Sequence, residues 1–156
     1  AISHAEARDI VNKYFAELEE KMNAASIEQG VQFLEENKKR PNVVTLPSGL
    51  QYEVINEGKV GTYAKATDQV KCHYEGTLID GTLFDSSIKR GQPAVFGVNQ
   101  VIPGWVEALQ LMPEGAKWKL YIPADLANGA QGAGEMIPPH STLIFEVELL
   151  EILSQK

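Results

Sequence analysis

The sequence predicts an α+β fold, in which a mainly antiparallel β-sheet packs on one short helix and follows an α-helical arm. Up to residue 41, apolar side chains recur at helical spacing, and from residue 48 onward apolar and polar side chains alternate. One further helical stripe follows Pro103-Gly104 and ends before Pro113. We therefore expect a helical arm over residues 1–41 and a second domain over residues 42–156.

The arm has an amphipathic pattern. Its apolar side chains recur every three or four residues, at Ile10, Val11, Tyr14, Phe15, Leu18 and Met22. Asn23 to Ala25 interrupts the stripe, and Ser26 to Gln29 has the form of a capping box, so we expect two successive helices. Because isolated helices are marginal in water, either the chain's own domain or a second subunit must cover the stripe. We favour a homodimer that forms through this arm.

Four later segments alternate and are typical of strands with one buried and one wet face. Their apolar positions are Leu50, Tyr52 and Val54; Val70, Cys72 and Tyr74; Ala116, Trp118, Leu120 and Ile122; and Leu143, Phe145, Val147 and Leu149. The alternation puts Tyr121 on the wet face. Asp80-Gly81 predicts a hairpin between Leu78 and Phe84.

Composition argues against several classes of function. The formal net charge of −7 repels phosphate backbones and anionic lipid, so we expect no nucleic-acid partner. No apolar run reaches the length of a membrane span, so we expect no membrane insertion. The three histidines are far apart, and the one cysteine, Cys72, excludes an intrachain disulfide. With so few and scattered ligands we expect no metal site. The glycine-rich stretch from Gly129 to Gly134 carries no lysine of a phosphate-binding loop, and we expect no cofactor.

Five aromatic residues are concentrated in the second domain, at Tyr74, Phe84, Phe96, Trp105 and Phe145. In a domain of this size a single aromatic side chain belongs to the core more often than to a ligand pocket. From the pattern alone, this group is either a packed core or an aromatic cavity.

Several strings in this domain resemble the signature of the FKBP-type peptidyl-prolyl cis/trans isomerases. They are residues 73–76 (HYEG), 80–87 (DGTLFDSS), 101–105 (VIPGW), 137–143 (IPPHSTL) and 145–150 (FEVELL), and the resemblance spans about residues 48 to 153. Residues 30–37 (GVQFLEEN) and 48–52 (SGLQY) are similar to the bacterial group that includes macrophage infectivity potentiator. In that group an N-terminal helical region makes a V-shaped dimer. The present arm is short for the group, as in a chain that lacks part of the dimerisation region.

The resemblance implies a bent antiparallel sheet wrapped around the short helix, with a binding pocket between them. It implies an isomerase that acts on proline-containing polypeptides, aids protein folding, takes macrolide inhibitors and uses no cofactor. The catalytic set implied by matching position is Tyr74, Phe84, Asp85, Ile102, Trp105 and Phe145. The implied substrate-binding set is Arg90, Phe96, Val101, Asn128 and Ile137. In that arrangement Trp105 is the pocket floor, Tyr74 and Arg90 hold Asp85, and the Ile102 N–H binds a substrate carbonyl.

Asn128 departs from the family pattern, because a tyrosine that closes the pocket is usual at this position. We therefore expect reduced activity or weaker macrolide binding. Ala94 and Ala133 are further departures. The alternative function is a dimeric chaperone or peptide-binding module that uses the same pocket without catalysis. Relatives occur in both the cytoplasm and the cell envelope, and we expect the bacterial periplasm ahead of the cytoplasm.

Overall fold

A computed structural model describes residues 4–133 and 136–153 of the chain. The ends of the two predicted domains, Gly134 of the glycine-rich stretch, and the side chains of Ile10 and Val11 lie outside the described part. No helix in that part is long and apolar enough to cross a membrane.

The arm is one helix, α1 (His4–Asn37), so the expectation of two successive helices is wrong. Ala24 and Ala25, two residues of the predicted break, have the highest helix propensity of any residue and outweigh Asn23 beside them. A capping box at Ser26 would serve only the free N–H groups of a helix start, and within a continuous helix those groups are already paired.

The C-terminal end of α1 is tied to the domain by buried polar contacts. The amide of Asn37 donates to Gln51 Oε1 at 2.8 Å, and Gln51 Nε2 donates to the Leu34 carbonyl at 2.9 Å. The Leu34 carbonyl also accepts from the Lys38 N–H at 3.0 Å, so the second bond adds a side-chain partner from β2 to the last turn of the helix. The helix therefore ends at Asn37 with its direction fixed against the first strands.

In the described part of the chain nine strands form two sheets, and every pairing between them is antiparallel. The strands are β1 (Val43–Thr45), β2 (Gln51–Asn56), β3 (Lys59–Tyr63), β4 (Gln69–Leu78), β5 (Leu83–Ser86), β6 (Ala94–Gly97), β7 (Pro113–Glu114), β8 (Lys117–Ile122) and β9 (Leu143–Leu153). The larger sheet runs β1-β2-β8-β9-β4-β5, with β6 also beside β4, and β3 pairs with β7. Register shifts within β2, β4 and their partners bend this sheet.

One face of the bent sheet packs on α3 (Pro103–Leu111), as the sequence predicts. Pro103 occupies the first turn, where its missing N–H costs no hydrogen bond. A Cβ added to Gly104 would lie 2.7 Å from Ile122 Cγ2, so glycine lets the helix approach β8 closely. A short helix, α2 (Ser87–Arg90), follows β5 directly. The α+β prediction is confirmed, with one core between sheet and helix.

Two local predictions can be compared directly with the structure. The Asp80-Gly81 hairpin joins β4 to β5, and the Leu78 N–H donates to the Thr82 carbonyl at 2.9 Å. Tyr121, predicted on the wet face, is only 2% exposed. The arm covers it, since Phe33 lies 6.0 Å from its ring and Arg40 Nη1 donates to its hydroxyl at 3.0 Å. Alternation along a strand reports which face a residue is on, but not what covers that face.

Candidate active site

A cavity of about 430 Å³ opens between the bent sheet and α3. It lies where β4, β6 and β9 each send aromatic side chains toward the N-terminus of that helix. Its lining residues are Tyr74, Asp85, Phe96, Gln100, Val101, Ile102, Trp105, Asn128, Ile137, Leu143 and Phe145. The sequence therefore brings nine of its eleven predicted site residues to one cavity.

Trp105 lies at the bottom of this cavity, and three aromatic rings stand around it. The ring centroids of Tyr74, Phe96 and Phe145 lie 5.4, 5.3 and 5.1 Å from that of the indole. Their planes make angles of 84°, 81° and 86° with it. Edge-to-face contacts of this kind stabilise aromatic pairs beyond the area they bury. The indole is thus the floor and the three rings are the walls.

Phe84 is the first predicted site residue that does not line the cavity. Its ring packs on the back of Phe145, at 5.4 Å and 89°. Gly76 makes the room for this contact, because an added Cβ would lie 2.5 Å from Phe84 Cζ and 2.7 Å from Phe145 Cε1. Phe84 therefore supports a wall from behind.

Arg90 is the second predicted site residue that does not line the cavity. It bonds to the carboxylate of Asp85 from the outer side. Arg90 Nη1 donates to Asp85 Oδ1, and Arg90 Nη2 donates to the Tyr74 hydroxyl at 3.0 Å. The Tyr74 hydroxyl in turn donates to Asp85 Oδ2 at 2.5 Å. The chain reaches this geometry because α2, which begins two residues after Asp85, starts at a capping hydroxyl on Ser86 that accepts from the Lys89 N–H.

These hydrogen bonds fix the ionisation state of the polar wall. Burial would raise the pKa of Asp85, but the bonds from Tyr74 and Arg90 prevail and hold that pKa below its ordinary value of 3.8. Burial and the bond to Asp85 raise the pKa of Tyr74 above its ordinary value of 10.0. Near neutral pH the carboxylate is therefore charged and the phenol neutral.

The remaining walls come from loops. The carbonyl of Ile102 accepts from the N–H groups of Trp105 and Val106 at 2.9 and 3.1 Å, which fixes the Ile102 peptide at the start of α3. Ile137 is held by paired backbone bonds with Ala133, at 2.9 and 3.1 Å. Asn128 lies on the wall where the family pattern has a tyrosine.

Two lining residues, Gln100 and Leu143, escaped the sequence-based prediction. Gln100 directly precedes Val101, and Leu143 occupies the same strand face as Phe145, two residues away. The second could have been found from the period of two along β9. Gln100 had no such signal, since the turn that precedes α3 decides its direction.

The arrangement suits binding of a neutral, largely apolar group rather than proton transfer. The cavity has aromatic walls and floor, and its carboxylate is already bonded to Tyr74 and Arg90. Cys72, the one thiol, is fully buried in β4, and that burial raises its pKa to about 12. Among the described residues no group of three or more His, Cys, Asp or Glu side chains could hold a metal ion.

Comparison with known families agrees with the interpretation of the cavity as a binding site for an apolar group. A model of the family "FKBP-type peptidyl-prolyl cis-trans isomerase" matches residues 61–150, and a model of the domain amino-terminal to it matches residues 1–54. The chain belongs to the FKBP-type peptidyl-prolyl cis-trans isomerases. The family predicted from the sequence strings is therefore confirmed.

Relatives of this FKBP-type chain match it along nearly its whole length. The FKBP-type 22 kDa peptidyl-prolyl cis-trans isomerase of Escherichia coli is 55% identical over 93% of this chain and 73% of its own. The outer membrane protein MIP of Legionella longbeachae is 48% identical over 93% of this chain and 61% of its own. The crystal structure of FkpA from Escherichia coli is 39% identical with a TM-score of 0.83, and covers 98% of this chain and 74% of FkpA.

Proposed function

We propose that this chain accelerates rotation about X–Pro bonds in polypeptides, and that the bond turns inside the cavity above Trp105. Membership of the isomerase family and the 55% identity to an isomerase of Escherichia coli support the activity. The observation that carries the location is the indole floor with three upright rings around it. A proline ring is small, compact and apolar, and fits such a floor.

The chemistry requires only a suitable environment. Amide resonance gives the X–Pro bond a rotational barrier of roughly 18–20 kcal/mol. In the twisted state this resonance is lost, and the bond is less polar than in either planar state. A cavity with few waters therefore stabilises the twisted state relative to bulk water. Each ~1.4 kcal/mol of such preference raises the rate about tenfold.

In this proposal each residue has one task. The indole of Trp105 supports the proline ring, while Tyr74, Phe96 and Phe145 exclude water from its sides. The Ile102 N–H donates to the substrate carbonyl next to the proline, and the same residue is anchored at the start of α3 through its own carbonyl. Val101, Ile137 and Asn128 close the remaining walls, and Phe84 keeps Phe145 upright.

Asp85 is a polar anchor that transfers no proton. Arg90 balances its charge and the Tyr74 hydroxyl donates to it, so the carboxylate can face the twisted amide without drawing water into the cavity. Arg90 is a positioning residue, since it reaches the substrate only through Asp85 and Tyr74.

A protease-free proline isomerisation assay tests the activity, run beside refolding of a protein whose slow step is X–Pro isomerisation. We expect both to be accelerated by catalytic amounts of this chain. The Phe96→Ala variant should lose most of the acceleration, whereas Val60→Ala, an exposed position on β3, should keep it. Suppressed aggregation with no acceleration would contradict the proposal and favour the non-catalytic chaperone.

We also propose a homodimer through α1, as the sequence predicts. The exposed side chains on the N-terminal half of this helix support it, since Tyr14 and Met22 are each 63% exposed and Phe15 61%. An apolar stripe of this kind is stabilised when a second helix covers it. Analytical ultracentrifugation should show a dimer that Phe15→Glu with Met22→Glu disrupts. Glu19→Lys with Glu20→Gln is the control, and a strict monomer at high micromolar concentration would contradict the dimer.

The same cavity is proposed to bind macrolide inhibitors. Its volume of about 430 Å³ lies within the range of pockets that hold drug-sized ligands. A macrolide that inhibits other members of the family should compete with substrate and protect Trp105 fluorescence from quenching. If a macrolide binds without changing the isomerisation rate, its binding site lies elsewhere on the chain.

A further inference from the structure

One edge of β4 is interrupted beside the active-site tyrosine. Along this edge β6 pairs with residues Gln69 to Cys72, and β5 pairs with residues Glu75 to Thr77. His73 and Tyr74 lie between the two partner strands. The chain leaves β5 after Ser86 and turns into α2, so no strand residue stands opposite Tyr74 at this edge.

The hydroxyl of Ser87 occupies this gap. It accepts from the Tyr74 N–H at 2.7 Å and donates to the Tyr74 carbonyl at 3.3 Å, as the backbone of a neighbouring strand would do. His73 Nδ1 lies 3.0 Å from the same oxygen. The side chain of Ser87 is fully buried. Since water does not reach the site, an alanine there would leave the N–H and the carbonyl of Tyr74 without these partners.

Ser87 lies next to both side chains that donate to the Asp85 carboxylate. One donor is the hydroxyl of Tyr74, and Ser87 bonds directly to the backbone of that residue. The other is Arg90, which lies at the end of α2, while Ser87 is its first residue. A shift of Tyr74 would also move the ring that stands 5.4 Å from Trp105.

We infer that Ser87 is a positioning residue of the isomerase site, which completes the interrupted edge of β4 and thereby holds Tyr74 against Asp85 and Trp105. The inference rests on the proposed function, because the position of Tyr74 affects catalysis only if the bond turns in this cavity. Ser87 itself lies outside the cavity and touches no substrate.

The experiment combines two readouts on the full chain. In Ser87→Ala we expect the Tyr74 amide to exchange with solvent at least about tenfold faster by NMR, because its acceptor is gone. We expect kcat/KM for an X–Pro peptide to fall about ten- to a hundredfold, as for a misplaced active-site group. Cys72→Ala is the matched control. It truncates a fully buried side chain of β4, the strand of Tyr74, and this side chain makes no such bond. It should leave both readouts near wild type.

A double-mutant cycle separates positioning from general stability. In a Tyr74→Phe background, Ser87→Ala should lower kcat/KM by at most about a further threefold, because the hydroxyl that Ser87 positions is already absent. The same loss in both backgrounds, or an unchanged Tyr74 amide, overturns the inference. If Ser87→Ala does not fold, Ser87→Cys replaces it, since a thiol keeps the volume but bonds weakly. Wild-type rate and exchange in that variant overturn it too. An inactive wild type would instead refute the proposed function, and amide exchange would still decide the role of Ser87.

Discussion

Two tryptophans divide the aromatic side chains of this domain into clusters that differ in the angle between their rings. Trp118 on β8 stacks on Tyr52 of β2, with centroids 4.1 Å apart and planes 9° apart. Trp105 on α3 is surrounded by rings that stand nearly perpendicular to it. Both indoles are buried, at 6% and 3% exposure, and both indole N–H groups lack a partner among the described residues.

The difference shows how the same residue types make core in one place and a site in another. Tyr52 and Trp118 lie on neighbouring strands of one sheet, so their rings share a face and close on each other. Trp105 comes from a helix, and its partners come from β4, β6 and β9. Rings that arrive from several directions cannot all stack, and they enclose a cavity of about 430 Å³ instead.

Replacing each tryptophan by leucine tests this difference with the largest expected effect. Both variants should lose about 1–3 kcal/mol of unfolding free energy, because each truncates a buried side chain. Only Trp105→Leu should lower kcat/KM of the folded protein, by about a hundredfold, since it removes the floor. Urea unfolding and a protease-free assay measure the two quantities. Equal loss of kcat/KM in both variants would mean that the angle between rings has no functional meaning.

Adding one methyl group at Gly76 should disturb the walls and leave the stack intact. A Cβ there would meet the rings of Phe84 and Phe145, so we expect Gly76→Ala to cost about 1–3 kcal/mol and lower kcat/KM about tenfold. Gly61→Ala is the control, because φ there is +107° and nothing lies within 4 Å of its Cβ. It should lose stability through backbone strain alone and keep its activity. A fully active Gly76→Ala would show that the walls tolerate displacement.

Acid should affect the cavity through Asp85. Its lowered pKa means that the folded state favours the charged form. The resulting stability is present above the unfolded value of 3.8 and is lost as pH falls through the lower folded value. We expect kcat/KM to be flat between about pH 5 and pH 8 and to fall in stronger acid. In Asp85→Asn this acid dependence should largely disappear. A midpoint near neutrality would point to proton transfer instead.

The smallest expected effect is at Asn128, the wall residue that stands where the family pattern has a tyrosine. Asn128→Tyr should raise kcat/KM about threefold, equivalent to less than 1 kcal/mol, by adding a ring to the open side. Macrolide affinity, measured by calorimetry, should increase in the same variant, whereas the Tyr52–Trp118 stack is remote from the change. Lower activity in Asn128→Tyr would show that asparagine is the better residue in this chain.

The sequence predicted the four alternating strands β2, β4, β8 and β9, because alternation and burial have the same physical cause, a sheet with one dry face. It did not identify β1, β3, β6 or β7. The candidate site residues came from motif strings, and nine of them meet at one cavity. The sequence misplaced what depends on tertiary contacts. The burial of Tyr121 depends on how the arm meets the sheet. The break predicted in α1 was a local error instead, because the helix propensity of Ala24 and Ala25 outweighs Asn23. The role of Phe84 depends on Gly76, which only the packed structure brings beside it.

Fluorotryptophan labelling tests the central claim most directly, because the chain contains two tryptophans and gives two fluorine signals. Assignment follows from the signal that is absent in Trp118→Phe. Titration with an X–Pro peptide should shift the Trp105 signal and leave the Trp118 signal in place. A shift of the Trp118 signal alone, or no shift of either while the peptide is isomerised, would contradict the assignment of the cavity as the site where the bond turns.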